Sequence, residues 1–264
     1  MKLACQLGMA PGESVSEKMR NIAKYGFEGV ELDGRALLEG KAGEVKKALR
    51  ESKLAASSIC AGYRGCPLDP DPAVRRQSID DMQQLLTIGA DLGVVDGLVM
   101  VPIFGGPRLP NLTPLADAID LEKQLLVPIL QQVAGHAEKV GCTLLVEPLN
   151  RYETHLLRTL DDAVAICKKV KSPRVQIMAD FFHMHIEELS TPESIAKAGK
   201  FIHHIHLADN TREQPGTGDI DFAAGFAALK KTGYDKYMAL ECGVIGDREK
   251  ALPECVKFLR KCIG

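Results

Sequence analysis

CTLLVE, at 142–147, is a short aliphatic run that stops on a carboxylate. Three later runs stop in a similar way: VQIMAD at 175–180, FIHHIH at 201–206 and YMALE at 237–241. Each is a few residues long, rich in strand formers and flanked by segments with helical spacing of apolar residues. That alternation is the mark of βαβ units with parallel strands. Each run also closes on a side chain that ligates metals: Glu147, Asp180, His206 and Glu241.

Working outward from these runs, the strands are expected at Leu3–Leu7, Gly29–Leu32, Ala55–Ile59, Gly97–Val101, Thr143–Val146, Val175–Ala179, Ile202–Leu207 and Tyr237–Leu240. Helical segments are expected at Ser16–Lys24, Gly43–Ser52, Pro72–Leu92, Leu115–Val140, Thr159–Val170, Pro192–Gly199, Phe222–Thr232 and Glu249–Cys262. Ser190-Thr191-Pro192-Glu193 reads as a helix cap with Pro in the first turn, and Thr159-Leu160-Asp161-Asp162 as a capping box. Gly26, Gly141 and Gly233 stand where helices end on a left-handed glycine. Eight strands alternating with eight helices predict an α/β fold, a (β/α)8 TIM barrel. Such a barrel needs about 250 residues, so a single domain over 1–264 is expected.

Bulk properties narrow the function. Net charge is -2, with no basic face of the kind a duplex-binding protein shows, so no nucleic-acid partner is expected. No run approaches the roughly 20 apolar residues of a membrane span, so none is expected. The start, MKLACQLGMA, lacks a signal-peptide core, and the eight cysteines form no CxxC pair. Together these predict a reducing, cytoplasmic setting.

The four strand-end residues share a parity. Thr143, Leu145 and Glu147 lie on one face of their strand, Gln176, Met178 and Asp180 on another, and Tyr237, Ala239 and Glu241 on a third. The 35 acidic residues and 7 histidines make up about one residue in six of the 264. Four specified positions would all carry one by chance about once in a thousand, or roughly once in a hundred with boundary slack. Three carboxylates and one imidazole suit one divalent metal ion, Mn²⁺ first, with Mg²⁺, Co²⁺ and Zn²⁺ also fitting.

At these residues the chain resembles the xylose isomerase-like TIM barrel superfamily, the sugar isomerase/epimerase group, and within it the ketose 3-epimerases. The matching segments are EPLNRYETH (147–155), DFFHMHIEE (180–188), HLADNTREQPGTGDIDF (206–222) and the final Glu241. The resemblance implies that Glu147, Asp180, His206 and Glu241 are metal ligands, and that Glu153, His183 and Arg212 bind substrate. It also implies a small sugar as partner and a homodimer or homotetramer. Two departures stand out: Cys242-Gly243-Val244 replaces a Pro-containing continuation, and Arg158 stands where relatives carry Asn.

Epimerising a ketose at C3 needs a metal to polarise the carbonyl, a base to take the proton and an acid to return it on the other face. Glu147 and Glu241 are expected to be that catalytic pair. Arg212 and His183 would stabilise the oxyanion, and Glu153 would orient a terminal hydroxyl. Hydroxypyruvate isomerase, inosose isomerase or dehydratase, and ketose-phosphate epimerase are alternatives on the same site. A DNA-repair endonuclease would need more ligands and a basic surface, and a non-catalytic sugar-binding barrel would not need the glutamate pair. His204 is expected to be a core histidine beneath the metal, His203 to face the helices, His136 to be structural and His185 to lie in a loop. Tyr63 and Phe104 are the expected aromatic walls, and Cys60 and Cys66 are expected to be inert.

Overall fold

Parallel strands close on themselves in sequence order in the computed structural model of the chain, which describes residues 1–264. They are β1 Lys2–Gln6, β2 Gly29–Asp33, β3 Ala55–Cys60, β4 Gly97–Met100, β5 Leu144–Val146, β6 Val175–Asp180, β7 Ile202–Leu207 and β8 Tyr237–Leu240. β8 pairs back onto β1 from Lys2↔Tyr237 to Cys5↔Leu240, which closes the barrel. All eight expected strands are present, each end within one residue of its place in the sequence reading.

The helices are α1 Val15–Lys24, α2 Gly34–Ala36, α3 Ala42–Ser52, α4 Pro72–Leu92, α5 Ala118–Val140, α6 Leu160–Val170, α7 Phe181–Glu187, α8 Thr191–Ala198, α9 Phe222–Thr232 and α10 Arg248–Ile263. The Thr159 hydroxyl accepts from Asp162 N while Asp162 returns a bond to the Thr159 backbone, the reciprocal cap expected there. Ser190 caps α8 through Glu193 N. α5 starts three residues later than Leu115 because Asp117 takes the capping position, accepting from Asp120 N.

Two short helices, α2 and α7, were not expected. Each starts directly on a strand's last residue, with Asp33 accepting from Arg35 N and Ala36 N, and Asp180 accepting from Phe182 N. A helix of 7 residues or fewer shows too little periodicity to be read from sequence. His185 therefore sits in α7 rather than in a loop, half-exposed, with its Nε2 3.6 Å from Asp219.

The main core lies between the strands and the helix ring and joins 63 buried residues. Phe181 anchors it below the mouth, stacked on Phe222 at 5.5 Å and tilted against Phe226 at 5.7 Å. The barrel interior divides in two. One part is apolar, with Val99, Leu145 and Met178 in one cluster and Ala4, Tyr237 and Ala239 in another. The other part is polar and buried: Glu31, Ser58, Asp96, His204 and His206. No helix is long and apolar enough to cross a membrane.

Candidate metal centre and active site

The carboxyl ends of β5 to β8 converge on one point. One ligand atom from each of Glu147, Asp180, His206 and Glu241 lies within 4.8 Å of every other. From His206 Nδ1 the distances are 2.9 Å to Glu241 Oε2, 3.7 Å to Glu147 Oε1 and 3.9 Å to Asp180 Oδ2. Strand register makes this meeting: Asp180 lies beside His206, and His206 beside Ala239, two residues before Glu241.

Glu147 Oε1 and His206 Nδ1 are buried and have no hydrogen-bond partner. Buried polar atoms are nearly always satisfied. Two lone-pair donors that face one another among further carboxylates fit a shared cation, and the oxygen-rich set fits a hard or borderline divalent ion. The second nitrogen of His206 supports the same fit. Nε2 lies 2.9 Å from Glu31 Oε2. A carboxylate only accepts, so Nε2 carries the proton and Nδ1 presents its lone pair, the arrangement that aims metal-binding histidines.

The electrostatics follow from burial and crowding. Burial pushes the Glu147 carboxyl up, with His206 opposing and the Glu241 charge adding. Burial would raise Asp180 too, but Arg212, His183 and His206 outweigh it and hold the carboxyl at about 2. Glu241 is likewise lowered against its burial by His206 and Arg212. Burial disfavours a charged His206, yet Glu241 and Glu31 overcome it and lift the imidazole well above its ordinary value. A negative field of that strength equally favours a divalent cation.

The three expected substrate residues border the same point. Arg212 Nη1 donates to Asp180 Oδ2 at 2.6 Å and Nη2 donates to Glu241 Oε2. Its guanidinium lies 4.8 Å from the Phe182 ring centroid, and its φ of 62° is left-handed. Buried Asp209 sustains that unfavourable turn: its carboxylate accepts from Asn210 N, Gly216 N and Ile220 N. His183 Nδ1 lies 2.8 Å from Asn150 Nδ2 and accepts from Asn150 N, so Nε2 carries the proton and faces Asp180 at 3.8 Å. Glu153 accepts from the same Asn150 amide at 2.9 Å, and its side chain is 42% exposed, free to meet a ligand.

Three residues here escaped the sequence reading, Gln6, Glu31 and Asn150, and Cys60, expected to be inert, also borders the cluster. Gln6 Nε2 donates to both Glu31 Oε1 at 3.0 Å and Glu241 Oε1 at 2.9 Å. Cys60 Sγ donates to Glu241 Oε1 at 3.4 Å, and burial raises its thiol well above the usual range, consistent with an inert role as nucleophile. A carboxylate inside the apolar run Val30-Glu31-Leu32 was the available signal. Beside the cluster lies a cavity of about 320 Å³ walled by Gln6, Glu31, Asp33, Cys60 and Glu241. It contains no cationic side chain.

His204 falls in the core, as expected. His204 is wholly buried, bonded to Asp96 Oδ2 at 2.8 Å and to Glu31 and Ser58 at 3.1 Å. His136 bonds Thr87. Arg158 is exposed ahead of α6, and its backbone N–H donates to Asp162.

Comparison with known proteins places this arrangement among sugar-converting enzymes. Residues 19–262 match the family described as xylose isomerase-like TIM barrel. The 3-dehydro-D-guloside 4-epimerase of Escherichia coli (strain K12) is 32% identical over 99% of this chain and 100% of that protein. The D-psicose 3-epimerase of Enterocloster bolteae is 30% identical over 91% of this chain and 82% of that protein. Among solved structures, 3-keto-D-glucoside 4-epimerase from E. coli superposes with a TM-score of 0.90 at 31% identity, covering 99% of this chain and 100% of that one.

Proposed function

The chain belongs to the xylose isomerase-like TIM barrel family as one of its sugar epimerases, an isomerase, and on that footing we propose that it inverts the carbon beside a sugar ketone. The observation that carries this reading is the convergence of Glu147, Asp180, His206 and Glu241, with two buried lone-pair donors left unpartnered among them. Those four residues would hold one divalent ion, Mn²⁺ foremost, which when bound would supply Lewis-acid polarisation of the ketone. The chain's own groups do the rest. One of Glu147 and Glu241 takes the proton from the α carbon, breaking its C–H bond, and the other, protonated beforehand, delivers a proton to the opposite face. The protonated Nε2 of His183 and the guanidinium of Arg212 donate to the developing oxyanion. Glu153 accepts from a distal hydroxyl.

The reacting carbon is C4 when the ketone is C3 of a glycoside, and C3 when it is C2 of a free ketose. The relative that aligns along the whole of both chains is named for the first reaction. This favours a keto glycoside. The C3 epimerisation of a ketose expected from sequence is the second reading, supported by the 30% identical D-psicose 3-epimerase. A phosphorylated sugar fits less well, since the cavity at the cluster carries Glu31, Asp33 and Glu241 and no cation. Eight free cysteines accord with a cytoplasmic setting.

The test uses Mn²⁺-loaded protein in D2O with a 3-keto glycoside and a free ketose, followed by NMR. Deuterium should enter only at the α carbon as the epimer accumulates. Glu147→Gln and Glu241→Gln should each lower turnover by about 10²–10⁴. Near-normal turnover in either variant defeats the two-carboxylate mechanism, and an aldose or dehydrated product defeats the epimerase reading.

A further inference from the structure

A second cavity of about 280 Å³ opens on the same face of the barrel, between the loops that follow β3 and β4. Three threads tie it to the reacting centre. Ala61, in one wall, directly follows Cys60, whose thiol touches Glu241 Oε1. Val101, in the other wall, directly follows Met100, whose carbonyl accepts from Glu147 N at 3.0 Å. Phe104 precedes Gly105, whose N–H donates to the Glu153 carbonyl at 2.7 Å. Chain neighbours of the cavity wall thus contact the Glu241 carboxylate and the Glu147 backbone.

Its walls are fixed. The Tyr63 hydroxyl donates to Val101 O at 2.6 Å and accepts from Val101 N at 3.0 Å. Cys66 Sγ donates to Pro102 O, and Thr154 Oγ1 donates to Ile103 O at 2.8 Å. Gly34 and Gly62 let two backbones meet: a Cβ at Gly34 would stand 1.8 Å from Ala61 O, and one at Gly62 2.1 Å from Arg35 N. That contact brings Arg35 to the cavity wall.

Its chemistry is the reverse of its neighbour's. The metal-side cavity is lined by three carboxylates, whereas this one has no acid in its lining. It offers Val101, Pro102, Ile103 and Phe104 together with Arg35 and Arg108. Arg108 is paired with Asp69, while the Arg35 guanidinium has no carboxylate within salt-bridge reach. Phe104 is 59% exposed, so its ring face is open to a ligand in the cavity.

We propose that this cavity is the aglycone subsite of the enzyme and receives an aromatic aglycone, which packs on Phe104 under the guanidinium of Arg35. The inference rests on the epimerase reading and extends it from a sugar to an aryl keto glycoside. A rigid apolar wall binds a planar ring without ordering cost, and an unpaired guanidinium is attracted to an aromatic face. Tyr63, expected from sequence to be an aromatic wall, lines this cavity and braces it through its hydroxyl.

The experiment compares methyl and phenyl 3-keto-hexopyranosides with the Mn²⁺-loaded full chain, reading deuterium exchange and epimer formation by NMR. The phenyl glycoside should show kcat/KM about tenfold higher, mainly through KM, equivalent to about 1.4 kcal/mol. Phe104→Ala and Arg35→Ala should each bring the phenyl-to-methyl ratio down toward one. Equal kcat/KM for the two glycosides in the unmodified enzyme, or a preference that survives both substitutions, overturns the subsite while leaving the epimerase reading intact. Absence of exchange with both glycosides, and with a free ketose run beside them, would instead overturn the epimerase reading itself.

Discussion

Glu31 and His206 share a 2.9 Å hydrogen bond between carboxylate Oε2 and imidazole Nε2, and both residues are almost wholly buried. The bond settles which imidazole nitrogen meets the carboxylate cluster. The same Glu31 oxygen accepts from Ser58 Oγ at 2.6 Å and contacts His204 Nε2, whose other nitrogen reaches Asp96. His204 thus has an acceptor at each nitrogen. Burial opposes its charge, but Asp96 and Glu31 win and raise its pKa. A chain of four side chains, Asp96–His204–Glu31–His206, rises through the barrel to the cluster.

Glu31→Gln should loosen that aim. An amide can donate to Nε2, which lets the proton move to Nδ1. Mn²⁺ affinity, measured by calorimetry, should fall by about 10–100-fold. Unchanged affinity would contradict the positioning role.

Cation binding should stabilise the fold. A ligand held at one hundred times its dissociation constant contributes about 2.7 kcal/mol. For a domain of this size each kcal/mol raises Tm by roughly 2–4 °C. Mn²⁺ should therefore raise Tm by about 5–10 °C, and a chelator should reverse the shift. A thermal scan with no Mn²⁺-dependent shift would remove the case for the site.

Asn150→Ala should act through His183. The Asn150 amide contacts both His183 Nδ1 and Glu153 Oε1, so its loss frees both of these proposed substrate-binding groups at once. kcat should fall by about ten- to a hundredfold, the range expected for misplacement near 1 Å. Tm should hardly move. A large fall in Tm with kcat intact would make Asn150 structural only.

His203 should make the fold acid-sensitive. Burial, helped by Lys236 and Arg174, lowers its imidazole from 6.5 to about 4. The unfolded chain accepts a proton that the folded chain refuses. Stability from this group is therefore full above pH 6.5 and declines as pH falls toward 4, by at most about 1.4 kcal/mol per unit. His203→Gln should flatten the Tm profile in that window, and an unaltered profile would show that His203 does not set it.

Much of this was legible in the residues. Strand runs such as VQIMAD and FIHHIH show both their length and the candidate ligand at their end, because parallel barrel strands are short and apolar and carry functional residues at their carboxyl ends. Glu153, His183 and Arg212 were reached through their motifs. Gln6 and Glu31 were not, because their part depends on β1 and β2 lying beside β8, a closure that no local pattern records. α7 was missed because seven residues show too little periodicity, and its cap, Asp180, is also an expected ligand. The residue is placed for both, with Oδ1 accepting from Phe182 N and Oδ2 turned toward the cluster.

Gln6 stands near the start of the chain and holds Glu241, 235 positions later. A ribosome releases the first of these long before the second. Throughout synthesis the emerging polypeptide thus carries a first strand with no seam partner and a lone amide awaiting its carboxylate. Catalytic competence arrives only with the final stitch of the cylinder, so the onset of turnover during translation would time that stitch.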